Sequence, residues 1–474
     1  MRASRLLWLG GALLVGFGQS CTKSDDTAGD APDVEAGVLP SGDAAPTPGD
    51  GTAATDANGP GPVSVVVKDR LGAAVAGVTV AFVEPSGTAA TETTGADGAA
   101  THVMSAPGGT VIVAEAAPGL RRLTTVFSVE PKDVLAIASG TPTSPVTPPT
   151  FATLHFTGAA TYVTGVAHDI YLGCTSTVIS GASVADLPVP ETCVHAGAAD
   201  LLGVARDGAG APVAFFTKQV ALTKDAVANV DIATGDWIAA VDKTYSVTGT
   251  PPASLQNVEV QFDYAKNALV YLDTAGAVTA PYDAIAVPSP PAGFADAFQS
   301  LTLLELGNAT DAGGVQSVSL VFSQGAPPAG PTFGHAFSDF LPRVHSPIVG
   351  GSVAAPQIGW SQDAPVASAV GGFLTLSGNV STDAGMATME WIAIFPPGAP
   401  SVALPPLPPA IAAFTPTAPL ALTSLGLVES TELGSYRAFR QSAAPFTDLV
   451  FSVTANVPPG ALGAKVTGVR QLIE

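Results

Sequence analysis

An all-β fold is what this sequence predicts, and three observations predict it. Apolar side chains alternate with polar or opposite-face positions over short runs, as at Val63, Val65, Val67 and again at Val78, Val80, Phe82, the period of a strand with one buried face. Gly and Asp turn signals separate these runs about every ten residues, the spacing of antiparallel sandwiches. The apolar content, 47% of 474 residues, is scattered among 51 Gly and 42 Pro. Beyond the N-terminus no uninterrupted apolar run could span a bilayer as a helix. The richest stretch, 402–414, is broken by Pro405, Pro406, Pro408 and Pro409.

The N-terminus reads as an export signal. Arg2 and Arg5 form a basic start, 6–17 (LLWLGGALLVGF) is an apolar core too short for a permanent span, and Gly18-Gln19-Ser20 supplies small residues for cleavage. Cys21 follows. This segment resembles the bacterial lipoprotein signal, although Gly18 stands where that family usually has Leu. The resemblance implies cleavage after Ser20, lipidation of Cys21 and a membrane partner reached through that lipid. Thr22, in place of an Asp after the acylated Cys, implies the outer membrane or cell surface. Residues 22–61 hold eight acidic residues and one cation, Lys23, without hydrophobic periodicity. Such a segment cannot bury enough apolar surface to offset its chain entropy, so 21–61 is expected to be a disordered tether.

The first folded unit is expected over 62–141. Asp69-Arg70-Leu71-Gly72 and Ala96-Asp97-Gly98 are turns between strands, and Gly108-Gly109 turns the chain into Val111–Val113. The segment VVVKDRLGAAVAGVTVAF, with TETTGADGAATHVM after it, resembles the carboxypeptidase-regulatory-like and bacterial Ig-like modules. Asp69, Gly72, Val75, Gly77, Val78, Asp97 and Gly98 occupy the shared positions. The resemblance implies an Ig-like or prealbumin-like β-sandwich used for spacing, adhesion or docking. Because its strands and turns are local, this unit is expected to fold alone.

Residues 142–150 form a Pro-rich linker. Beyond it, short strand candidates run from Ala152–Phe156 through Asp200–Ala205, Pro212–Phe216, Tyr245–Thr248, Val258–Phe262, Val315–Phe322, Phe373–Leu376 and Thr388–Phe395 to Leu449–Val453. Phe294–Ser300, His335–Leu341 and Pro409–Phe414 are candidate short helices. One or two further antiparallel β-sandwich domains are expected, divided as β-rich units 151–300 and 301–474. The phrases Phe156-Thr157-Gly158, Val247-Thr248-Gly249 and Leu376-Ser377-Gly378 recur but are too short to establish a repeat.

Charge and cysteine usage narrow the function. The formal charge is −21, and loss of Arg2 and Arg5 makes the remainder two units more negative. With no cationic cluster to neutralise phosphates, nucleic acid is not expected as a partner. Cys174 and Cys193 remain once Cys21 is acylated, and an oxidising compartment favours a disulfide between them. The loop they close would stabilise by roughly 3 kcal/mol in the chain-entropy model. The alternatives are a metal site with His195, for which the spacing is unsuited, and a thiol nucleophile. His335, Asp339 and His345 form the densest mixed cluster, and His168-Asp169 is an isolated pair. Ser361 in Gly359-Trp360-Ser361-Gln362-Asp363 lacks the second Gly of a nucleophile elbow. Trp237, Trp360 and Trp391 read as core residues before ligand platforms. No catalytic residue, metal or cofactor is assigned. The reading is a non-enzymatic envelope lipoprotein, a spacer and interaction module meeting an extracellular or envelope protein or glycan. A glycan- or protein-binding receptor subunit and a hydrolase with an unrecognised site are the alternatives.

Overall fold

The computed structural model describes residues 59–69, 73–140, 149–157, 167–172, 175–180, 185–194, 196–266, 269–278, 280–307, 315–382, 385–398, 400–442 and 464–471. The signal, Cys21, the tether to residue 58, Cys174, His195 and the candidate strand at 449–453 lie outside the described residues, as do 141–148 of the linker. The described chain is almost wholly β, as the alternation predicts.

The first sandwich comprises β1 (Gly61–Lys68), β2 (Thr79–Val83), β3 (Ala89–Thr93), β4 (Ala99–Met104), β5 (Gly109–Ala117), β6 (Leu120–Val129) and β7 (Val134–Ala138). The second comprises β8 (Thr150–Thr157), β9 (Ala167–Leu172), β10 (Thr175–Ser180), β11 (Ala185–Pro190), β12 (Ala198–Arg206), β13 (Pro212–Ala221), β14 (Val227–Asp231) and the short β15 (Ile238–Ala239). The third comprises β16 (Val241–Thr248), β17 (Leu255–Lys266), β18 (Leu269–Val278), β19 (Ile285–Ser289), β20 (Ala297–Leu306), β21 (Val315–Gly325) and β22 (Thr332–Ala336). The fourth comprises β23 (Val344–Ser352), β24 (Ala355–Gln362), β25 (Gly371–Thr382), β26 (Gly385–Phe395), β27 (Ser401–Ala403), β28 (Ala421–Ser430) and β29 (Ala464–Gln471), with the helix α1 (Tyr436–Ser442) between β28 and β29.

One topology is used repeatedly. In the first sandwich the sheet β4-β1-β7 faces β3-β2-β5-β6, with β1 antiparallel to β4 and parallel to β7. The second repeats this as β11-β8-β14 against β10-β9-β12-β13, and the third as β19-β16-β22 against β18-β17-β20-β21, again with an antiparallel and a parallel neighbour on the central strand. Numbered within each sandwich, strands 4-1-7 oppose strands 3-2-5-6. The fourth keeps the order with one replacement. There β27-β24-β23 opposes β26-β25-β28-β29, and the seventh position is filled by β23, which precedes β24 and runs antiparallel to it. A hairpin partner needs only a short turn, whereas a parallel one needs a crossover. Phe156-Thr157 and Val247-Thr248 close the first strand of the second and third sandwiches; the phrase at Leu376 falls on β25 and is not equivalent.

Three of the four sandwiches share a sheet. Its twelve strands run β18-β17-β20-β21-β29-β28-β25-β26-β6-β5-β2-β3. The third joins the fourth through antiparallel β21 and β29, and the fourth joins the first through parallel β26 and β6. The sandwiches therefore lie side by side, and the first and last are neighbours. On one face of the long sheet, Val65, Phe82 and Val113 of the first sandwich share a core with Leu303 and Leu320 of the third and Phe373, Ile394 and Val466 of the fourth. On the other face, Ala81, Ile112 and Leu123 pack with Leu374, Trp391 and Leu425 beneath Ile358 and Val402. The second sandwich sits outside this sheet and leans Leu202, Val204 and Phe215 into the core of the third.

This arrangement corrects several expectations. The segment 62–141 forms the expected strands but is not closed on itself, because Ala81, Ile112 and Leu123 are buried against the fourth sandwich. Among the described residues three sandwiches follow it instead of one or two, and a division at 300/301 cuts through β20. Phe294–Ser300 leads into that strand and is not a helix. On β20, Phe298, Leu304 and Leu306 face the third core, while Leu301 and Leu303 face the shared one. Burial on both faces removes the alternation that marks a strand. His335–Leu341 is the end of β22 followed by a 3-10 turn at Phe337–Asp339, and Pro409–Phe414 is a 3-10 segment.

Candidate functional site

The residues singled out from the sequence do not converge on one place. His335 Nδ1 lies 3.8 Å from Asp339 Oδ2, but His345 pairs elsewhere, with Asp363 at 3.2 Å and the Ser346 hydroxyl at 2.9 Å. His168 is fully buried on β9, its ring 5.4 Å from that of Trp237. Asp169, on the opposite face of the same strand, is ion-paired with Arg206 of β12. Ser361 is exposed on β24. Trp237, Trp360 and Trp391 are all buried. Trp391 donates from Nε1 to Thr125 Oγ1 at 3.0 Å and so ties the fourth sandwich to the first. Cys193 ends a 3-10 turn and is buried in the same core as Leu172. Cys174 lies outside the described residues, between the paired Leu172 and Thr175.

The strongest polar constellation is one the sequence does not announce. After β28 the chain forms α1, which lies against β7 of the first sandwich. Asp133, in the turn before β7, is fully buried. Its Oδ2 accepts from Arg440 Nε at 2.7 Å and from the Glu130 amide at 2.9 Å; its Oδ1 accepts from Gln441 Nε2 at 3.3 Å and is ion-paired with Arg437 Nε at 3.0 Å. Arg440 Nη2 reaches Asp133 at 2.7 Å and Glu130 at 3.2 Å, and the guanidinium lies 5.2 Å from the Tyr436 ring centre. The Tyr436 hydroxyl sits 2.8 Å from the Phe127 carbonyl and 3.1 Å from that of Ile394, bridging β6 and β26. Burial raises the Tyr436 pKa, so the phenol stays a neutral donor. This cluster fastens sandwiches together, with its guanidinium groups facing its carboxylates. Arg440 and Asp133 are 307 residues apart, so no local pattern could reveal the pair.

A cleft of about 230 Å³ opens at one end of the third sandwich, lined by Tyr245, Phe298, Phe333, His335, Ser300 and Ser323 among others. The Tyr245 hydroxyl is hydrogen-bonded to Thr302 Oγ1, and burial raises its pKa. Burial lowers the His335 pKa, while Asp339 pulls it upward. The cleft is smaller than the roughly 300–1,000 Å³ of ordinary small-molecule sites. Among the described residues no group of three or more His, Cys, Asp or Glu could hold a metal ion.

No protein-family description matches the chain, and no curated protein matches it. Solved structures give distant likenesses. The Bacillus anthracis TIE protein aligns with 59% of this chain at 10% identity and a TM-score of 0.15, and this chain spans half of that structure. A tetra-tandem repeat from the extending region of a large adhesion protein aligns over 78% of this chain and 95% of its own, at 9% identity and a TM-score of 0.12. A streptococcal ancillary pilin aligns over 58% and 98%, at 10% identity and a TM-score of 0.12. At such scores these likenesses carry no inference about activity, ligand or assembly.

Proposed function

We propose that this is a non-enzymatic envelope lipoprotein, held by a lipid on Cys21 and carrying its β-sandwiches as one compact interaction head. The observation that carries the reading is the joining of the first and last sandwiches. β6 pairs with β26, and Asp133 is buried against Arg440. Sandwiches strung end to end would act as a stalk whose length grows with each unit. Side-by-side sandwiches present a broad surface instead, and reach must come from the tether. About 40 residues of Gly-, Ala- and Asp-rich chain supply an r.m.s. reach of roughly 35 Å. The most polar investment in the fold goes into fixing the sandwiches relative to one another, as a docking surface requires. A disulfide between Cys174 and Cys193 belongs to the same reading, supported by the burial of Cys193 and Leu172 in one core.

A receptor subunit for a glycan or protein is the second reading. It draws on the aromatic cleft of the third sandwich, where Tyr245, Phe298 and Phe333 stand beside polar Ser300, Ser323 and His335.

The anchor is tested with Cys21→Ser and metabolic fatty-acid labelling. Wild-type protein is expected to label and to fractionate with membranes, and the variant to do neither. An unlabelled wild-type chain removes the anchor from the proposal.

A further inference from the structure

The third sandwich departs from the other copies of its topology at one place. The seventh strand of the first sandwich turns Leu135 and Ile137 inward, in register with Val65 and Val67, and both are buried. The seventh strand of the second turns in Ala228 and Val230, in register with Leu154 and Phe156. In the third the same two places, in register with Tyr245 and Val247, hold Phe333 and His335, and neither is closed over. Both line the cleft.

The opposite wall is the facing sheet. Phe298 and Ser300 of β20 stand on the face that carries Phe262 into the core, and Ser323 of β21 is the register partner of Ser300. Gly325, the partner of Phe298, adds no side chain, and a Cβ there would meet nothing within 4 Å. The cleft stays open where a side chain would fill it. Lys243 donates to the Pro328 carbonyl and so holds the loop between β21 and β22 at the rim.

This lining selects a class of occupant. Ser300 is 4% exposed, and its hydroxyl has no hydrogen-bond partner among the described residues. An apolar occupant would strand that hydroxyl, which costs free energy. No Asp, Glu, Lys or Arg lines the cleft, so a charged occupant would lose its hydration with nothing opposite to replace it. His335 supplies no charge at neutral pH, because burial lowers its pKa. A neutral ring with an apolar face and hydroxyls around its edge meets all three conditions. The volume of about 230 Å³ suits one such ring and not a chain of them.

We propose that the cleft binds a single uncharged sugar ring of a glycan, its C–H face against Phe333 and a hydroxyl hydrogen-bonded to Ser300 Oγ. This rests on the receptor reading of the same cleft and names its ligand. One ring buries little surface, so the affinity is weak, with a Kd of about 1 mM.

The test is saturation-transfer difference NMR on the full chain with Cys21→Ser, which is free of any lipid. The probes are the methyl glycosides of glucose, galactose and mannose, the matching uronic acids, and two peptide-like compounds, N-acetyl-tyrosine amide and N-acetyl-proline amide. At least one neutral glycoside is expected to bind, and its uronic acid to bind at least about tenfold more weakly. Gly325→Leu fills the mouth at an open position, so it should abolish binding without lowering the thermal midpoint. Ser300→Ala should weaken binding about fivefold. Uronic acids bound as well as neutral sugars would overturn the proposal. Binding of the peptide-like probes alone would overturn the sugar and leave a protein receptor standing. Silence from every probe, or glycoside binding indifferent to Gly325→Leu, would overturn the cleft as a site and the receptor reading with it.

Discussion

Replacing Arg440 with Ala removes the partner of a buried carboxylate and should loosen the first sandwich from the fourth. Asp133 has no solvent exposure and Arg440 has 2%. Breaking a buried ion pair from one side costs about 3–5 kcal/mol, because the remaining charge is left uncompensated. Three contacts survive the change: Arg437 Nε at 3.0 Å and Gln441 Nε2 at 3.3 Å still face Asp133 Oδ1, and the Glu130 amide still donates to Oδ2 at 2.9 Å. Arg437 is 44% exposed and its compensation is weakened by screening, but the hydrogen bonds from the Glu130 amide and Gln441 remain, so the expected loss is near the lower end, about 3 kcal/mol. The Arg440 side chain also packs over the Tyr436 ring, and Ala loses that contact as well.

The junction carries its own reporter, since Trp391 of β26 donates to Thr125 of β6. Urea unfolding followed by tryptophan emission should show the transition that includes Trp391 moving to lower urea in Arg440→Ala. Replacing both partners, Asp133→Leu with Arg440→Leu, leaves no stranded charge and should recover most of the loss. A change below about 1 kcal/mol in Arg440→Ala, or a double variant no better than the single, would refute the clamp as the fastening between these sandwiches.

Three further outcomes are expected. Gly468→Ala should destabilise by about 3 kcal/mol in thermal denaturation, since its Cβ would meet the Leu425 carbonyl oxygen of the paired strand at 1.8 Å; an unchanged melting temperature would contradict the register of β28 and β29. Burial lowers the His335 pKa, so the folded state binds fewer protons than the unfolded state, and stability is full above the unfolded value near 6.5 and falls as pH drops from there toward the folded pKa. His335→Gln should flatten that slope in chemical denaturation between about pH 7 and 5, and an unaltered slope would assign the dependence to other groups. Mass spectrometry of unreduced, alkylated protein from the envelope should find Cys174 and Cys193 linked; two alkylated thiols would reopen the metal reading with His195.

What the sequence disclosed follows from how local its causes were. Val63, Val65 and Val67 alternate because β1 buries one face, and all three are fully buried. The turn at Asp97-Gly98 is readable because its chemistry is carried by adjacent residues: Gly98 takes φ 73°, and Asp97 Oδ1 accepts from the Ala99 amide at 3.0 Å. Of the later strand candidates, those from Ala152–Phe156 to Thr388–Phe395 fall within strands, whereas Leu449–Val453 lies outside the described residues. The helix read at Phe294–Ser300 failed where burial is two-sided and period carries no information. The repeat was hidden because strand order and register preserve it, not residue identity. The clamp was hidden because a lone Asp and a lone Arg have no pattern until the chain folds.

The joining of sandwiches also answers a problem that a string of separate sandwiches would have. Each four-stranded sheet of this topology has an outer strand in its sixth position, and an unpaired outer strand invites association with other chains. Here β21, β29 and β6 occupy that position in the third, fourth and first sandwiches, and each is paired to a strand of another sandwich. The same pairings cover apolar surface on the back of the sheet, where Leu303, Leu320 and Val466 meet the core of the first sandwich. Edge protection and burial are thus achieved by one device, which makes the shared sheet costly to open. The second sandwich, outside that sheet, covers its sixth strand β13 with the two-residue β15. That contrast separates a core of three sandwiches locked through their edges from a fourth held by side-chain packing of Leu202, Val204 and Phe215. Opening the second sandwich from the third thus breaks side-chain packing alone, whereas separating the other three requires breaking backbone pairing as well.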